Sequence, residues 1–250
     1  MSNSSLVTYV WKGPKTNCNA RDHVIDTITI HHMAANGTCE SCFNTLAYKS
    51  NPGSVNYGIE TSGVIGLMID EDLRAWTSDS RPNDMRAVTI EVANDQPSNA
   101  GGWHVSDKAL ASLINLCTDI CKRRGKTKMI WCGSLDATNA RKFAADEMRM
   151  TIHKWFIPTG CPGAYLESKM SYIANEVTKR LTPSPKTGRV AATHSCYTYD
   201  SKKDGKPAVN GPYKTGSQWT IEKTIDYCGI KWGKIKGSTM WVRMSDVKYI

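Results

Sequence analysis

Residues 151–163 read TIHKWFIPTGCPG, and the interpretation of the rest of the chain starts from them. His153 and Cys161 lie eight positions apart in this stretch. Helix-breaking residues surround the cysteine: Pro158, Gly160, Pro162 and Gly163. We therefore expect His153 to end an ordered element and Cys161 to lie on a stiff loop that returns toward it. A thiolate and an imidazole held close together suit a zinc ion, although a packed thiol and a surface imidazole are the alternative for this stretch alone.

A second stretch, residues 24–33, reads VIDTITIHHM and predicts a buried strand that ends in two histidines. Because side chains alternate along a strand, His31 and His32 face opposite sides of the sheet. Enzymes built on sheets place reactive side chains at the carboxyl ends of strands. One of these histidines together with His153 and Cys161 makes three ligands, and three ligands with a fourth position open to water is the arrangement of catalytic zinc.

Four segments of the chain together resemble the zinc-dependent N-acetylmuramoyl-L-alanine amidases, the family shared by phage amidases and animal peptidoglycan recognition proteins. They frame roughly residues 5–180 and read ITIHHMA (28–34), VNYGIETSGVIG (55–66), AVTIEVAND (87–95) and TIHKWFIPTGCPG (151–163). The resemblance is greatest to endolysins from phages of Gram-positive bacteria, in which such a domain precedes a wall-binding module. It implies hydrolysis of the amide bond between N-acetylmuramic acid and L-alanine in bacterial peptidoglycan.

The resemblance also implies a site, with one zinc ion per chain bound by His31, His153 and Cys161. His32 is the alternative to His31, and the family's use of the first histidine of the pair favours His31. Glu91 matches an acidic position near the metal, where it would move protons, although an edge strand with Glu91 in water is the alternative from the residues alone. The resemblance places Tyr57 and Thr159 beside the metal, where they would stabilise the developing oxyanion. Several family members have lysine where this chain has Thr159, so this chain lacks a positive charge there.

Three further residues are expected to contact the substrate: Trp76, Asn83 and Trp155. For the two tryptophans, packing in the core is an equal alternative. Cys39 and Cys42 form a lone CxxC, which we interpret as two cysteines at the start of a helix, with a disulfide or redox role as the alternative; a zinc knuckle would need a second such pair.

The order of the elements predicts an α/β fold, with a mixed central β-sheet flanked by helices as in the amidases and peptidoglycan recognition proteins. Helices are predicted over residues 38–49, 106–124, 136–148 and 166–181. Strands are predicted over residues 55–60, 64–68, 86–93 and 129–132, and a loop over 74–85. Residues 2–21 are expected to be an ordered extension laid over the domain.

The chain is expected to divide into a zinc amidase domain at 1–182, a proline-rich linker at 183–189 and an SH3-like wall-binding domain at 190–250. Lys231–Val247 resembles the last hairpin of bacterial SH3-like modules, which are small all-β barrels. Residues 183–250 carry 12 Lys and Arg against 5 Asp and Glu, whereas residues 1–182 carry 20 against 18. The basic excess of the C-terminal part suits anionic wall polymers, with residues such as Lys202, Lys203, Lys206, Lys234 and Lys236 as contacts.

Nine cysteines and a polar N-terminus without a charged and apolar leader predict synthesis in the reducing host cytoplasm without a signal peptide, followed by release to the wall. No apolar run approaches the ~20 residues of a membrane span, and no nucleic-acid-binding motif accompanies the basic charge, so neither membrane insertion nor nucleic-acid binding is expected. Two other hypotheses stay open: a non-catalytic protein that recognises peptidoglycan on the same scaffold, and a bacterial autolysin with the same chemistry.

Overall fold

A computed structural model describes residues 3–48, 50, 52–182, 188–199, 211–227 and 229–250. The chain forms two compact units, Met1–Thr182 and Pro183–Ile250. The larger unit has a mixed central sheet flanked by helices, and the described part of the smaller unit is all β, which confirms the predicted fold class at this level. Of the linker predicted at 183–189, residues 183–187 lie outside the described residues, and Gly188 already begins a strand.

The strands of the larger unit, within the described residues, are β1 (Tyr9–Val10), β2 (Cys18–Ala20), β3 (Thr27–His32), β4 (Tyr57–Ile59), β5 (Ile65–Leu67), β6 (Leu73–Ala75), β7 (Ala87–Val92), β8 (Lys128–Ile130) and β9 (Glu147–Ile152). Its helices are α1 (Cys39–Tyr48), α2 (Arg81–Asp84), α3 (Asp107–Arg123), α4 (Leu135–Ala140) and α5 (Ala164–Leu181). The main sheet has the strand order β1-β5-β4-β7-β3-β9-β8, and β2 pairs with β6 separately.

Strands β3 and β7 form the centre of the main sheet. Strand β3 pairs in parallel with β7 on one side and with β9 on the other. Their β-branched residues suit a pleated, buried surface, and all six residues of β7 are buried. The prediction of a core strand over 86–93 is therefore confirmed, and Glu91 lies inside the sheet rather than at an edge in water.

Helices α3 and α5 contact each other and share the apolar core that covers one face of the sheet. The oxygen of Ser106 accepts a hydrogen bond from the backbone N–H of Ala109 and caps α3. The core contains the alternate residues Ile28 and Ile30 of β3, so Thr29 and His31 lie on the opposite, polar face. No helix among the described residues combines the length and the apolar character that crossing a bilayer requires.

Two segments differ from the expectation. The composition of residues 136–148 predicts a helix, but α4 ends at Ala140 and Glu147 begins β9. Met148 is buried because it lies on a strand that pairs with both β3 and β8, and this pairing overrides local helix preference. The loop predicted over 74–85 contains most of β6 and the short helix α2.

The N-terminal segment is ordered, as predicted, over its described residues. Strand β1 pairs in parallel with β5, and β2 pairs with β6. Trp11 is buried and packs edge-on against Phe43 of α1, with ring centroids 6.4 Å apart. The guanidinium of Arg21 donates hydrogen bonds to backbone carbonyls, which secures the end of this segment, and its acceptors are Glu71, Asp84, Met85 and Ala87.

The smaller unit contains β10 (Gly188–Ala192), β11 (Thr198–Tyr199), β12 (Gln218–Tyr227), β13 (Ile230–Ile235), β14 (Trp241–Arg243) and β15 (Val247–Tyr249). These strands form one sheet in the order β11-β14-β13-β12-β10-β15. The segment Lys231–Val247 falls on β13 to β15. Of the basic residues expected to meet wall polymers, Lys202, Lys203 and Lys206 lie outside the described residues, and Lys234 is 2.5 Å from the carboxylate of Glu222.

Candidate metal centre and its cleft

His31, His153 and Cys161 meet on the polar face of the main sheet. Their candidate ligand atoms all lie within 4.8 Å of one another. The sulfur of Cys161 is 3.6 Å from Nδ1 of His31, and the two imidazole centroids are 4.8 Å apart. His31 and Cys161 are buried, and His153 is half-buried. We call these three residues the metal cluster.

The strands place the two histidines side by side. In the parallel pair of β3 and β9, Thr29 is the register partner of Thr151 and Ile30 that of Ile152. His31 follows on β3, whereas His153 begins a turn of 3-10 helix. This turn directs the chain toward the cysteine loop, and the backbone N–H of Lys154 donates to the carbonyl of Cys161 at 3.2 Å.

The loop around Cys161 is held as its proline and glycine pattern predicts. Thr159 accepts a hydrogen bond from the backbone N–H of Cys161 at 3.3 Å, and Gly163 donates to the carbonyl of Gly160 at 2.8 Å. Gly163 has a φ of 85°, and a Cβ there would lie 2.6 Å from Cβ of Trp103. Only glycine fits this position, because any other residue would be strained and would collide with Trp103.

Burial controls the protonation of the cluster. Burial, with His153 and His32 nearby, holds the pKa of His31 well below its ordinary value. Burial, and then the carboxylate of Glu91, raises the pKa of the Cys161 thiol well above its ordinary value. Without a metal the His31 imidazole is therefore neutral, which is the form that binds a metal, and the thiol must lose its proton to become a ligand.

The donor set fits a zinc ion. Nε2 of His31 is buried and has no hydrogen-bond partner among the described residues, which costs free energy unless something binds the ring. Two nitrogen ligands and one sulfur ligand leave the fourth position of a tetrahedral site open, as in catalytic zinc. His32, the alternative ligand, is outside the cluster: its ring packs edge-on against Trp103 with centroids 5.0 Å apart.

Glu91 lies next to the cluster on the neighbouring strand. It is the register partner of His31, so the two side chains share the polar face. Its effect on the pKa of Cys161 reflects the same proximity. Glu91 is 8% exposed and lines a cleft of about 170 Å³ together with His32, Cys42 and Leu46. It therefore shares the polar face with His31 and borders this cleft.

The structure does not bring Tyr57 to the cluster, which corrects the expectation that it flanks the metal. Tyr57 is the register partner of Ile90 and shares the apolar face that α3 and α5 cover. Its hydroxyl accepts a hydrogen bond from the backbone N–H of Ser4 at 3.0 Å. The register partner of Glu91 is instead Gly58, so strand alternation turns the Tyr57 ring away from the site.

The three residues expected to contact substrate have different surroundings. Trp76 is 44% exposed and lines a cleft of about 290 Å³ beside His153. Trp155 stacks on Trp131 with centroids 4.6 Å apart and packs against the apolar core, so the core alternative describes it. Asn83 is 9% exposed, its amide hydrogen-bonds within the protein, and the residue lines a different cleft of about 300 Å³.

The cleft beside His153 also contains two arginines that the sequence analysis did not predict as site residues. Arg74 places its guanidinium over the Trp76 ring, 5.5 Å from the ring centroid, and Arg81 lines the same cleft. Arg74 and Trp76 lie two positions apart, and this strand-like spacing was the available signal. A guanidinium on an aromatic ring beside a metal cluster is suited to binding an anionic or amide group.

The sequence matches one family model over residues 21–163, described as Amidase_2, N-acetylmuramoyl-L-alanine amidase. The matched residues include all three members of the metal cluster and Glu91. No curated protein sequence matches this chain.

Several solved structures are similar to the chain. The endolysin N-acetylmuramoyl-L-alanine amidase LysCS from Clostridium intestinale URNW is 16% identical, with 68% of this chain and 93% of that chain covered and a TM-score of 0.45. The Ph2119 endolysin from Thermus scotoductus MAT2119 bacteriophage Ph2119 is 14% identical, with 67% and 94% covered and a TM-score of 0.46. Drosophila peptidoglycan recognition protein SA is 17% identical, with 65% and 87% covered and a TM-score of 0.41.

Proposed function

The chain belongs to the N-acetylmuramoyl-L-alanine amidase family, and on that basis we propose that it is a zinc-dependent hydrolase of bacterial peptidoglycan. The bond cleaved is the amide between N-acetylmuramic acid and L-alanine of the stem peptide. The observation that carries this proposal is the metal cluster of His31, His153 and Cys161 with Glu91 in register beside it. Two nitrogens, a sulfur and a neighbouring carboxylate are the parts that metal-assisted amide hydrolysis needs.

The residues of the site divide the chemistry among them. A bound zinc ion would lower the pKa of water toward ~7 and polarise the scissile carbonyl. Glu91 would accept a proton from the attacking water and pass it to the leaving amine, and its place inside the sheet keeps the carboxylate beside the cluster. Thr159 is the candidate for hydrogen bonding to the oxyanion, because its oxygen accepts from Cys161 while the hydroxyl hydrogen can still donate. Trp76 would contact substrate in the cleft beside His153.

We further propose that the protein is an endolysin from a phage of a Gram-positive host. In this proposal the chain is made in the host cell and reaches the wall after release. Residues 190–250 would form an SH3-like domain that binds the wall. The all-β sheet of the smaller unit and the basic excess of residues 183–250 support wall binding, with anionic wall polymers as its partners.

The test is hydrolysis of purified peptidoglycan, measured together with the zinc content of the full chain. We expect about one zinc per chain, release of new N-terminal alanine and no new reducing sugar ends. Cys161→Ser should lose both the zinc and the activity, because a serine hydroxyl is a poor zinc ligand. Cys121→Ser is the matched control, since Cys121 is also a buried thiol but lies on α3 and belongs to the apolar core.

Two results would contradict the proposal. A zinc-loaded wild-type protein that binds walls and releases nothing would be a recognition protein on the amidase scaffold. New reducing ends would place the cut in the glycan and not at the amide bond.

A further inference from the structure

Three buried polar side chains connect the strands that carry the two histidines of the metal cluster. The hydroxyl oxygens of Thr29 and Thr151 are 2.8 Å apart. Nδ2 of Asn83 donates to Thr29 at 2.9 Å, and the hydroxyl of Thr151 donates to Oδ1 of Asn83 at 3.1 Å. We call these three residues the clip. Their exposed fractions are 0% for Thr29, 4% for Thr151 and 9% for Asn83.

The hydrogen bonds of the clip form a closed cycle. Thr151 uses its single hydroxyl hydrogen on Asn83, so Thr29 is the donor between the two threonines. Asn83 donates to Thr29, Thr29 donates to Thr151, and Thr151 donates to Asn83. Each member therefore donates one bond and accepts one within the cycle. Removing one hydroxyl takes the acceptor from one buried member and the donor from another, which costs free energy and weakens the side-chain link between the two strands.

The clip lies where strands β3 and β9 part. Thr29 and Thr151 are each two positions before a histidine of the cluster, so all four side chains share the polar face. The register of β3 with β9 ends at Ile30 and Ile152, and His153 then begins a 3-10 turn. Strand β3 itself continues to pair with β7 as far as His32. The clip therefore links the side chains of β3 and β9 just before the two strands separate. Beyond it, His31 remains on β3, and His153 follows the end of β9.

The third member anchors this link to the wall of the cleft. Nδ2 of Asn83 also donates to Oγ of Ser78 at 3.0 Å. The carboxylate of Asp84 accepts from the backbone N–H groups of Thr77 and Ser78, each at 3.1 Å. Thr77, Asp84 and His153 line the same cleft. The clip thus connects β3 and β9 by hydrogen bonds to Ser78, close in sequence to Asn83.

We propose that Thr29, Thr151 and Asn83 are positioning residues that hold the spacing of His31 and His153 and thereby set the affinity for zinc. This inference rests on the proposed function, because it requires these histidines to bind the metal. Zinc needs its ligands at distances of ~2.0–2.3 Å in a tetrahedral arrangement, so ligands held at the right spacing bind it with little rearrangement. Changing the residues that orient metal ligands lowers metal affinity typically by about 10–100-fold.

The experiment uses Thr29→Val and Thr151→Val in the full chain, because valine has nearly the shape of threonine and replaces the hydroxyl with a methyl group. The zinc dissociation constant is measured by competition with a chromophoric chelator in the absence of substrate. Stability of the metal-free protein is measured in parallel by urea unfolding. We expect zinc to bind about 10–100-fold more weakly to either variant. The double variant should lose little more than a single one, since the first substitution already opens the cycle.

Thr89→Val is the matched control. Thr89 is fully buried on the same face, two positions before Glu91, and its hydroxyl lies 2.9 Å from that of Thr77. Strand β7 carries no member of the metal cluster. This variant should lower the stability of the metal-free protein as the clip variants do, with zinc affinity within about twofold of wild type. Thr29→Ser keeps a hydroxyl at the clip and should bind zinc as the wild type does. Zinc binding as weak as in Thr29→Val would show that the methyl group, and not the hydroxyl, sets the affinity, and would contradict the inference.

Equal zinc affinity in Thr29→Val, Thr151→Val and wild type would overturn the inference, even if both variants were less stable. So would a loss of affinity in Thr89→Val as large as that in the clip variants, because the effect would then follow general destabilisation. If the wild type itself bound no zinc, the proposed function would fail, and the two failures are therefore distinguishable. Absorption spectra of the cobalt-substituted proteins give a second readout, since a change in ligand geometry alters their visible bands.

Discussion

Replacing Glu71 with glutamine tests the buried ion cluster at the end of α3. Glu71 is 0% exposed. Its carboxylate accepts hydrogen bonds from Nη1 and Nη2 of Arg123 at 2.6 and 2.8 Å, and from Nη2 of Arg124 at 3.0 Å. The backbone N–H of Glu71 also donates to Asn3 at 2.9 Å, so this residue links α3 to the N-terminal segment.

The loss of stability expected for Glu71→Gln depends on the ion pairs that Arg123 and Arg124 retain. Glutamine preserves the shape of the side chain but removes the charge that the guanidinium groups of Arg123 and Arg124 share; the side chain of Arg123 is 18% exposed. Arg123 still has Asp119 at 2.8 Å, and Arg124, whose side chain is 6% exposed, still has Asp72 at 3.0 Å. Breaking a buried ion pair costs about 3–5 kcal/mol, and the remaining carboxylates place Glu71→Gln near ~3 kcal/mol. At ~2–4 °C per kcal/mol for a unit of this size, Tm should fall by roughly 6–12 °C.

The assay is urea and thermal unfolding followed by the helical circular dichroism signal, which reports the larger unit because helices α1 to α5 lie there. Asp72→Asn is the matched control, since Asp72 binds the same Arg124 but its side chain is 49% exposed. Solvent screening should limit its cost to ~1 kcal/mol or less. Equal costs for Glu71→Gln and Asp72→Asn would refute the argument that burial strengthens the Glu71 pairs.

Three further predictions concern catalysis, pH and the metal. Glu91→Gln should lower kcat by about 10²–10⁴-fold with zinc content unchanged, as measured by alanine release and metal analysis, because proton transfer is lost while the ligands remain. Burial opposes ionisation of Asp26, but hydrogen bonds from Arg86 and Thr27 outweigh it and lower the pKa of this carboxyl. Its stabilising contribution is therefore complete above pH ~4 and lost as the pH falls through the folded-state pKa, so Asp26→Asn should destabilise the protein at pH 6 and much less near pH 2 in urea titrations. With free zinc at ~1,000 times its Kd, bound zinc should contribute about 4 kcal/mol to the stability of the wild type and none to that of Cys161→Ser. Thermal unfolding with and without a chelator measures this difference.

Sequence reasoning worked best where a local pattern answered the question. The apolar stripe and serine cap of α3 and the alternation of β3 and β7 are set by neighbouring residues, and the structure confirms these elements. The prediction of a helix over residues 136–148 was wrong. The composition of these residues favours a helix, but Glu147–Ile152 pairs with two neighbouring strands and joins the sheet. Tyr57 was expected at the metal from the family resemblance, but Gly58 is the residue opposite Glu91, so Tyr57 faces the apolar core.

In the site, too, the residue types were predictable from the sequence and the contacts between distant residues were not. Which residues could bind a metal followed from residue type and from the family resemblance, and His31, His153 and Cys161 do lie together. The roles of Asn83 and Trp155 did not follow. Asn83 stands in a segment predicted to be a loop and was expected to contact substrate, yet its amide bonds to Thr29 of β3 and Thr151 of β9. Trp155 stacks on Trp131, which is 24 positions earlier in the chain and on a segment whose packing the sequence does not reveal.

By itself the sequence determined the alternating faces of the strands, the stiff loop at Cys161 and the set of residues able to bind zinc, because these depend on residue type and on spacing along the chain. Tertiary structure alone decided which faces meet. The parallel pairing of β3 between β7 and β9 puts Glu91 beside His31 and brings His153 to it. The bond between Thr29 and Thr151 joins residues 122 positions apart, and no local pattern specifies it, since a hydroxyl can pair with any partner that the fold brings within reach.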